Sequence, residues 1–245
     1  MNPHQAHSIR VMMAALLLST AARGASPPDL TGVWASADGA GTRGAIAGTD
    51  PLPLRPDAKQ RHDAFNAILA PTGDTPGGVC LAAGMPAAIL GAGGYPMEII
   101  QRPEQVTIIY ELHGETRRAY IGARNAPEQD RVPSRDGYSS GHWEGDVLVV
   151  ETSSLVEQLD QRTTPHSGAA TIVERYRLEG TDGQGRRILT VELTMTDPQF
   201  YTAPVVLTRR WAQVPNGHLM SYDCNEDVWL DRVESLARKA GVKVP

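Results

Sequence analysis

The chain has 245 residues, 41% hydrophobic and 21% charged, with a formal net charge of −5. That balance supports a sizeable core in one large domain or two small ones. With no block of like charges, it lacks the concentrated basic footprint that nucleic-acid binding needs.

The chain opens on a leader. Arg10 ends a short polar region, Val11 to Thr20 is apolar but too short to span a bilayer, and the small residues Ala21, Ala22, Gly24 and Ala25 follow. This reads as a secretory signal over residues 1–24, with cleavage after Gly24 or Ala22. The mature protein, 25–245, is expected in the periplasm or secreted, with no integral membrane segment after cleavage. Cys80 and Cys224 are the only cysteines, an even number in an oxidising compartment and without the clustered spacing of a zinc site. A disulfide between them is expected, and two buried free thiols are the alternative.

Asp29-Leu30-Thr31-Gly32-Val33-Trp34 begins the first strand, where the glycine lets the backbone bend beneath a large indole. Residues 39–53 read as a loop. Pro56 to Leu69 has helical spacing, with Pro56 suited to the first turn and Ala64, Phe65, Ile68 and Leu69 on one face. Residues 71–94, rich in glycine and proline, form an irregular insertion expected to lie over one barrel mouth, as a lid or as plain covering.

Strands then follow quickly: Met97–Arg102, Val106–Leu112 and Thr116–Gly122 as a meander, Tyr138–Trp143 and Val147–Thr152 as a hairpin through Glu144-Gly145-Asp146. The long strands Ala170–Glu179, Arg187–Thr196 and Val205–Gln213 come next, and a last strand is expected through Leu219–Tyr222. Asn225 caps a C-terminal helix, Glu226 to Ala240, with Val228, Trp229, Val233 and Leu236 inward. The pattern predicts an all-β chain: a single antiparallel β-barrel of about eight to ten strands, with a helix before it and one after it. Closure removes exposed strand edges.

Strand alternation nominates the chemistry. Glu174 shares a face with Ile172, Tyr176 and Leu178, so it is a candidate inward carboxylate, either acid–base or paired with Arg118 or Arg209. Glu98 is a candidate second interior acid. His166, just ahead of the Glu174 strand, has a side chain whose ordinary pKa lies near neutrality. The candidate catalytic set is His166, Glu174, Glu98, Tyr120 and Arg118, with Tyr110, Tyr176, Trp143 and His142 as candidate substrate-binding residues. Ser167 has no Gly-x-Ser-x-Gly elbow to support a nucleophilic role. The histidines are scattered, so no metal site is expected, and no nicotinamide, flavin or haem pattern points to a cofactor.

Gly-x-Trp at the first strand resembles the lipocalin signature, and Arg209-Arg210-Trp211 sits where lipocalins carry an arginine that packs over that tryptophan. A wider set of stretches resembles a large family of exported bacterial all-β proteins. These are Asp29–Trp34, Cys80 with Gly84-Met85-Pro86, and Gly141-His142-Trp143-Glu144-Gly145-Asp146. Pro165-His166-Ser167 with Glu174-Arg175, Asp197-Pro198 and Tyr222-Asp223-Cys224-Asn225-Glu226 complete it. The resemblance implies a barrel and supplies no established catalytic residues. Relatives carry a Thr-Asp-Gly-Arg turn where this chain has Ile121-Gly122-Ala123-Arg124, and often an acid where it has Gly168. Both departures remove a carboxylate and imply a more apolar rim, if the two loops meet.

The function expected is an exported, cofactor-independent acid–base enzyme of lyase or isomerase type, acting on a small hydrophobic, aromatic or terpenoid molecule. The alternative is a non-catalytic carrier of such ligands. In the enzyme, His166 moves the proton, Glu174 or Glu98 orients or shares it, and Tyr110, Tyr120 or Arg118 stabilises developing negative charge.

Overall fold

A computed structural model describes residues 26–37, 52–73, 81–90, 95–161, 164–222 and 227–244, with side chains omitted at 227 and 228. The leader, Cys80, Cys224, the Asn225 cap and the side chain of Val228 lie outside the described residues, as does the expected disulfide.

Nine strands close into one barrel, each pairing with its chain neighbours and the last returning to the first. They are β1 (Gly32–Ser36), β2 (Met97–Arg102), β3 (Gln105–Tyr110), β4 (Thr116–Ile121), β5 (Tyr138–Glu144), β6 (Val147–Ser153), β7 (Thr171–Thr181), β8 (Arg187–Thr196) and β9 (Val205–Val214). The expected all-antiparallel order is corrected at one seam. There β4 and β5 run parallel, with Ala119 opposite Ser139 and Ile121 opposite Gly141. A parallel neighbour needs a long connection, and the polar loop after β4 supplies one.

Helix α1 (Pro56–Leu69) has the expected bounds but falls between β1 and β2 rather than ahead of the barrel. It buries Ala58, His62, Phe65 and Leu69, the one-face spacing of an α-helix. Helix α2 (Ala87–Leu90) is a single turn, and α3 (Asp227–Ala240) packs against α1. Residues 219–222 form no strand; instead the Met220 N–H donates to the Glu111 carboxylate at 2.7 Å.

Alternation along the ladder fills the lumen. Met97 and Ile99 from β2, Val106, Ile108 and Tyr110 from β3, Leu148 and Val150 from β6, and Leu189, Val191, Leu193 and Met195 from β8 are all buried in one core. One mouth is closed by the N-terminal segment. There Gln101 binds the Leu30 N–H at 2.9 Å, and the Trp34 indole N–H donates to the Leu30 carbonyl at 3.0 Å. The cation over this indole is Arg187 of β8, 5.7 Å from the ring, and not Arg209 or Arg210 of the last strand. Arg209 donates to the Leu90 carbonyl instead, and Arg210 lies 3.9 Å from Glu179.

The other mouth is plugged by residues 81–90, which bury Leu81, Met85, Ile89 and Leu90 in the core; residues 74–80 and 91–94 of the expected insertion lie outside the described residues. Gly84 has φ +67, and a β-carbon there would lie 2.7 Å from the Arg135 carbonyl oxygen. Only glycine fits this close approach in the left-handed region without strain. Met85, joined to Pro86 by a cis peptide, is fully buried behind it.

Candidate functional site

Beneath Met85 lies a dry polar cluster. Arg117 of β4 and Glu174 of β7 face each other across the lumen, with side chains 2% and 0% exposed. They form a forked pair: Arg117 Nη1 donates to Glu174 Oε1 at 3.1 Å, and Nη2 donates to Oε2. Arg117 Nε donates to Ser139 Oγ at 3.0 Å, and Nη2 also reaches Thr152 Oγ1 at 3.3 Å. The Met85 thioether caps the fork, 3.1 Å from Nη1. Tyr176 donates its hydroxyl to Glu174 Oε1 at 2.9 Å. A planar fork with several donors suits Arg for this buried role. Burial pulls the guanidinium's pKa down, but the adjacent Glu174 carboxylate outweighs it and holds the group well above its ordinary value.

Tyr110 also belongs to this group. Its hydroxyl is buried and has no hydrogen-bond partner. Burial, opposed by Arg117, pushes the phenol far up, so the O–H stays protonated. Burial pushes the Tyr176 phenol the same way. The buried Trp211 indole N–H of β9 is a second unpartnered donor in the same core.

The sequence-nominated residues divide sharply. Glu174, Tyr176 and Tyr110 are brought together in the lumen. Glu98 is not, because Met97 and Ile99 on either side are fully buried and the strand's alternation turns Glu98 to the outer face. Arg118 is exposed and Tyr120 stacks on Tyr138 outside the barrel, with ring centroids 5.5 Å apart. Both have the parity opposite to Arg117 and Ala119, which point in. The ion pair expected for Glu174 therefore exists, but with Arg117. Trp143 is half-buried against the core. His142 is exposed, 3.2 Å from Glu144, which also binds Arg175 at 2.6 Å. The Gly141–Asp146 motif is a hairpin end.

His166 is fully buried but sits behind the plug. Its Nε2 lies 3.0 Å from the Met85 carbonyl and its Nδ1 lies 3.0 Å from the Ser167 carbonyl. Burial lowers its pKa, with the two carbonyls opposing. It touches Met85 and so positions the cap over Arg117. The adjacent Ser167 donates its N–H and hydroxyl to Asp197 at 2.7 and 2.8 Å, and Asp197 also accepts the N–H groups of Gln199 and Phe200. The motifs around His166 and Asp197 thus form a single clamp. Gly122 and Gly168 do not share a rim. Register places Ile121 level with Gly141, Val150 and Glu174, whereas Gly168 lies beyond Thr171 at the far end of that ladder.

Sequence reading missed Arg117, Ser139, Thr152, Met85, Glu115 and Asp136. The signal for Arg117 was its shared parity with Ala119 and Ile121, masked by charges on both faces of β4. Glu115 accepts the plug's Ala83 and Gly84 N–H groups at 3.0 and 2.8 Å. Burial raises its carboxyl to about 9, assisted by the side chain of Asp136 and opposed by those two N–H groups. No group of three or more metal-ligating side chains occurs among the described residues, and no described helix is long and apolar enough to cross a membrane. Compared with known proteins, the chain matches no family model and no curated sequence.

Proposed function

We propose that the barrel interior takes a small, mainly apolar molecule bearing an oxygen acceptor, and acts on it without a cofactor by acid–base chemistry of lyase or isomerase type. The observation that carries this reading is the Tyr110 hydroxyl, a buried donor with no partner beside a forked Arg117–Glu174 pair. An unmet buried donor costs about 1–3 kcal/mol, and a ligand oxygen would satisfy it. Trp211 adds a second unmet donor.

In this reading Tyr110 donates to the substrate oxygen, and Arg117 stabilises negative charge developing on it. Glu174 moves the proton, and His166 acts through Met85 as a positioning residue. Entry requires residues 81–90 to lift. A second reading, a carrier whose same groups only orient the ligand, is favoured by one observation: both Glu174 oxygens already have internal donors.

The test uses a panel of oxygenated hydrophobic metabolites, with ligand and product followed by mass spectrometry. Tyr110→Phe is expected to weaken ligand capture at least tenfold while raising Tm by about 2–4 °C, because a domain of this size gains that much per kcal/mol recovered. Unchanged capture, or a destabilised variant, would sink the assignment. Product formation separates the enzyme from the carrier.

Export of the mature chain, and the bridge between Cys80 and Cys224, belong to the same proposal and rest on the leader and the cysteine count. Thiol titration of the purified, denatured mature protein without reductant is expected to give no free thiol. Two titratable thiols would remove the bridge.

A further inference from the structure

A second polar feature lies outside the barrel. Where α1 and α3 meet the segment 157–160, a cleft of about 100 Å³ is walled by Phe65, Trp229 and Val233 and edged by Glu157, Asp160, Glu234 and Arg135. The acids outnumber the base. Glu157 is already paired with Arg61, outside the lining. Arg135 holds Asp160 Oδ2 at 3.0 Å, but it also donates to the Ala82 and Ala83 carbonyls. Asp160 has a side chain only 7% exposed, and its Oδ1 is buried with no hydrogen-bond partner.

A buried carboxylate oxygen without a donor, at the edge of an apolar cleft, calls for a cation with a short hydrocarbon tail. An alkylammonium group supplies several N–H donors and a charge that strengthens each bond. Its tail would displace water from the aromatic and aliphatic walls. The volume sets the tail length. A cavity of roughly 150 Å³ holds benzene, so this smaller cleft suits a chain of a few carbons.

We propose that this cleft is a binding site for a small primary amine, with Asp160 as the anchoring acceptor. It is independent of the barrel interior. The acid excess disfavours carboxylates, and a neutral alcohol would bring a single donor and no charge.

The probes are n-butylammonium, 1-butanol and n-butyrate, titrated against the purified mature protein with tryptophan emission as readout and Trp229→Phe as the signal control. Saturable perturbation by n-butylammonium is expected, at least fivefold weaker with 1-butanol and absent with n-butyrate. Asp160→Asn is expected to weaken the amine at least fivefold, and Tyr110→Phe to leave it unchanged. If Asp160→Asn does not fold, Val233→Phe fills the cleft without altering its charges and is expected to abolish the signal. Equal binding of amine and alcohol, no saturable change at millimolar amine, or full binding by a folded Asp160→Asn or Val233→Phe protein would overturn the site. Loss with Tyr110→Phe would return the signal to the barrel interior.

Discussion

Glu174→Gln is expected to lower the unfolding free energy by about 3–5 kcal/mol, because it leaves the Arg117 guanidinium charged and unmatched in a dry lumen. Arg117 and Glu174 are both nearly inaccessible to solvent, and their fork is completed by Ser139, Thr152 and Tyr176. Removing one charge from such a pair costs far more than the pair itself contributes. For a domain of this size the loss corresponds to a fall in Tm of roughly 6–20 °C, measurable by calorimetry or urea titration. Replacing both partners together, as Arg117→Met with Glu174→Leu, removes the unmatched charge and is expected to restore most of the stability. That contrast separates structure from chemistry: the double variant should fold well, yet fail to capture ligand if the pair serves the interior site. A single Glu174→Gln variant losing less than about 1 kcal/mol would contradict the buried-charge account.

The second large effect concerns pH. The Glu115 carboxyl, raised from 4.5 to about 9, is protonated in the folded protein across the neutral range and ionised in the unfolded chain. Between pH 4.5 and 9 the folded state therefore binds more protons, so stability falls as pH rises through this window and levels off above it. The slope attributable to this group is roughly 1 kcal/mol per pH unit. His166 has the opposite sign. Burial holds its folded pKa below 6.5, so its contribution is present above 6.5 and is lost as pH falls below it. Both groups grip the same plug: Glu115 holds the Ala83 and Gly84 N–H groups, and His166 lies against the Met85 carbonyl. Overall stability should therefore fall toward alkaline pH through burial of the Glu115 charge and toward acid through burial of the His166 charge, while the bonds that both groups make to the plug favour their charged forms. Urea unfolding of wild type and Glu115→Gln at pH 5, 7 and 9 isolates the carboxyl, since His166 is common to both. The wild-type advantage should shrink steadily with pH. Parallel pH profiles would refute the raised carboxyl.

The Gly84–Met85 plug also explains why the motifs cluster as they do. Gly84, the His166-Ser167 pair and Asp197 are distant in sequence, yet they form one assembly that seats a thioether on a guanidinium. In the proposed function this assembly is the gate to the interior, and its several weak anchors are compatible with lifting as a unit. No residue of the assembly needs to react.

The sequence by itself determined what depends on near neighbours. Alternation and turn residues placed β2 and β8 to the residue, helical spacing placed α1 to the residue, and Glu174 with Tyr176 faced inward because their strand also carries Ile172 and Leu178 on that face. Tertiary structure decided everything that depends on which strand lies opposite. Charges on both faces of β4 left its inward face ambiguous, and only pairing with β3, where Ile108 is buried opposite Arg117, selects Arg117 over Arg118. Glu98 was excluded by the burial of Met97 and Ile99, and His166 was drawn behind the plug by a carbonyl 81 residues away in the chain. The raised carboxyl of Glu115 is a product of the fold alone, because desolvation and the approach of Asp136 exist only once the barrel closes.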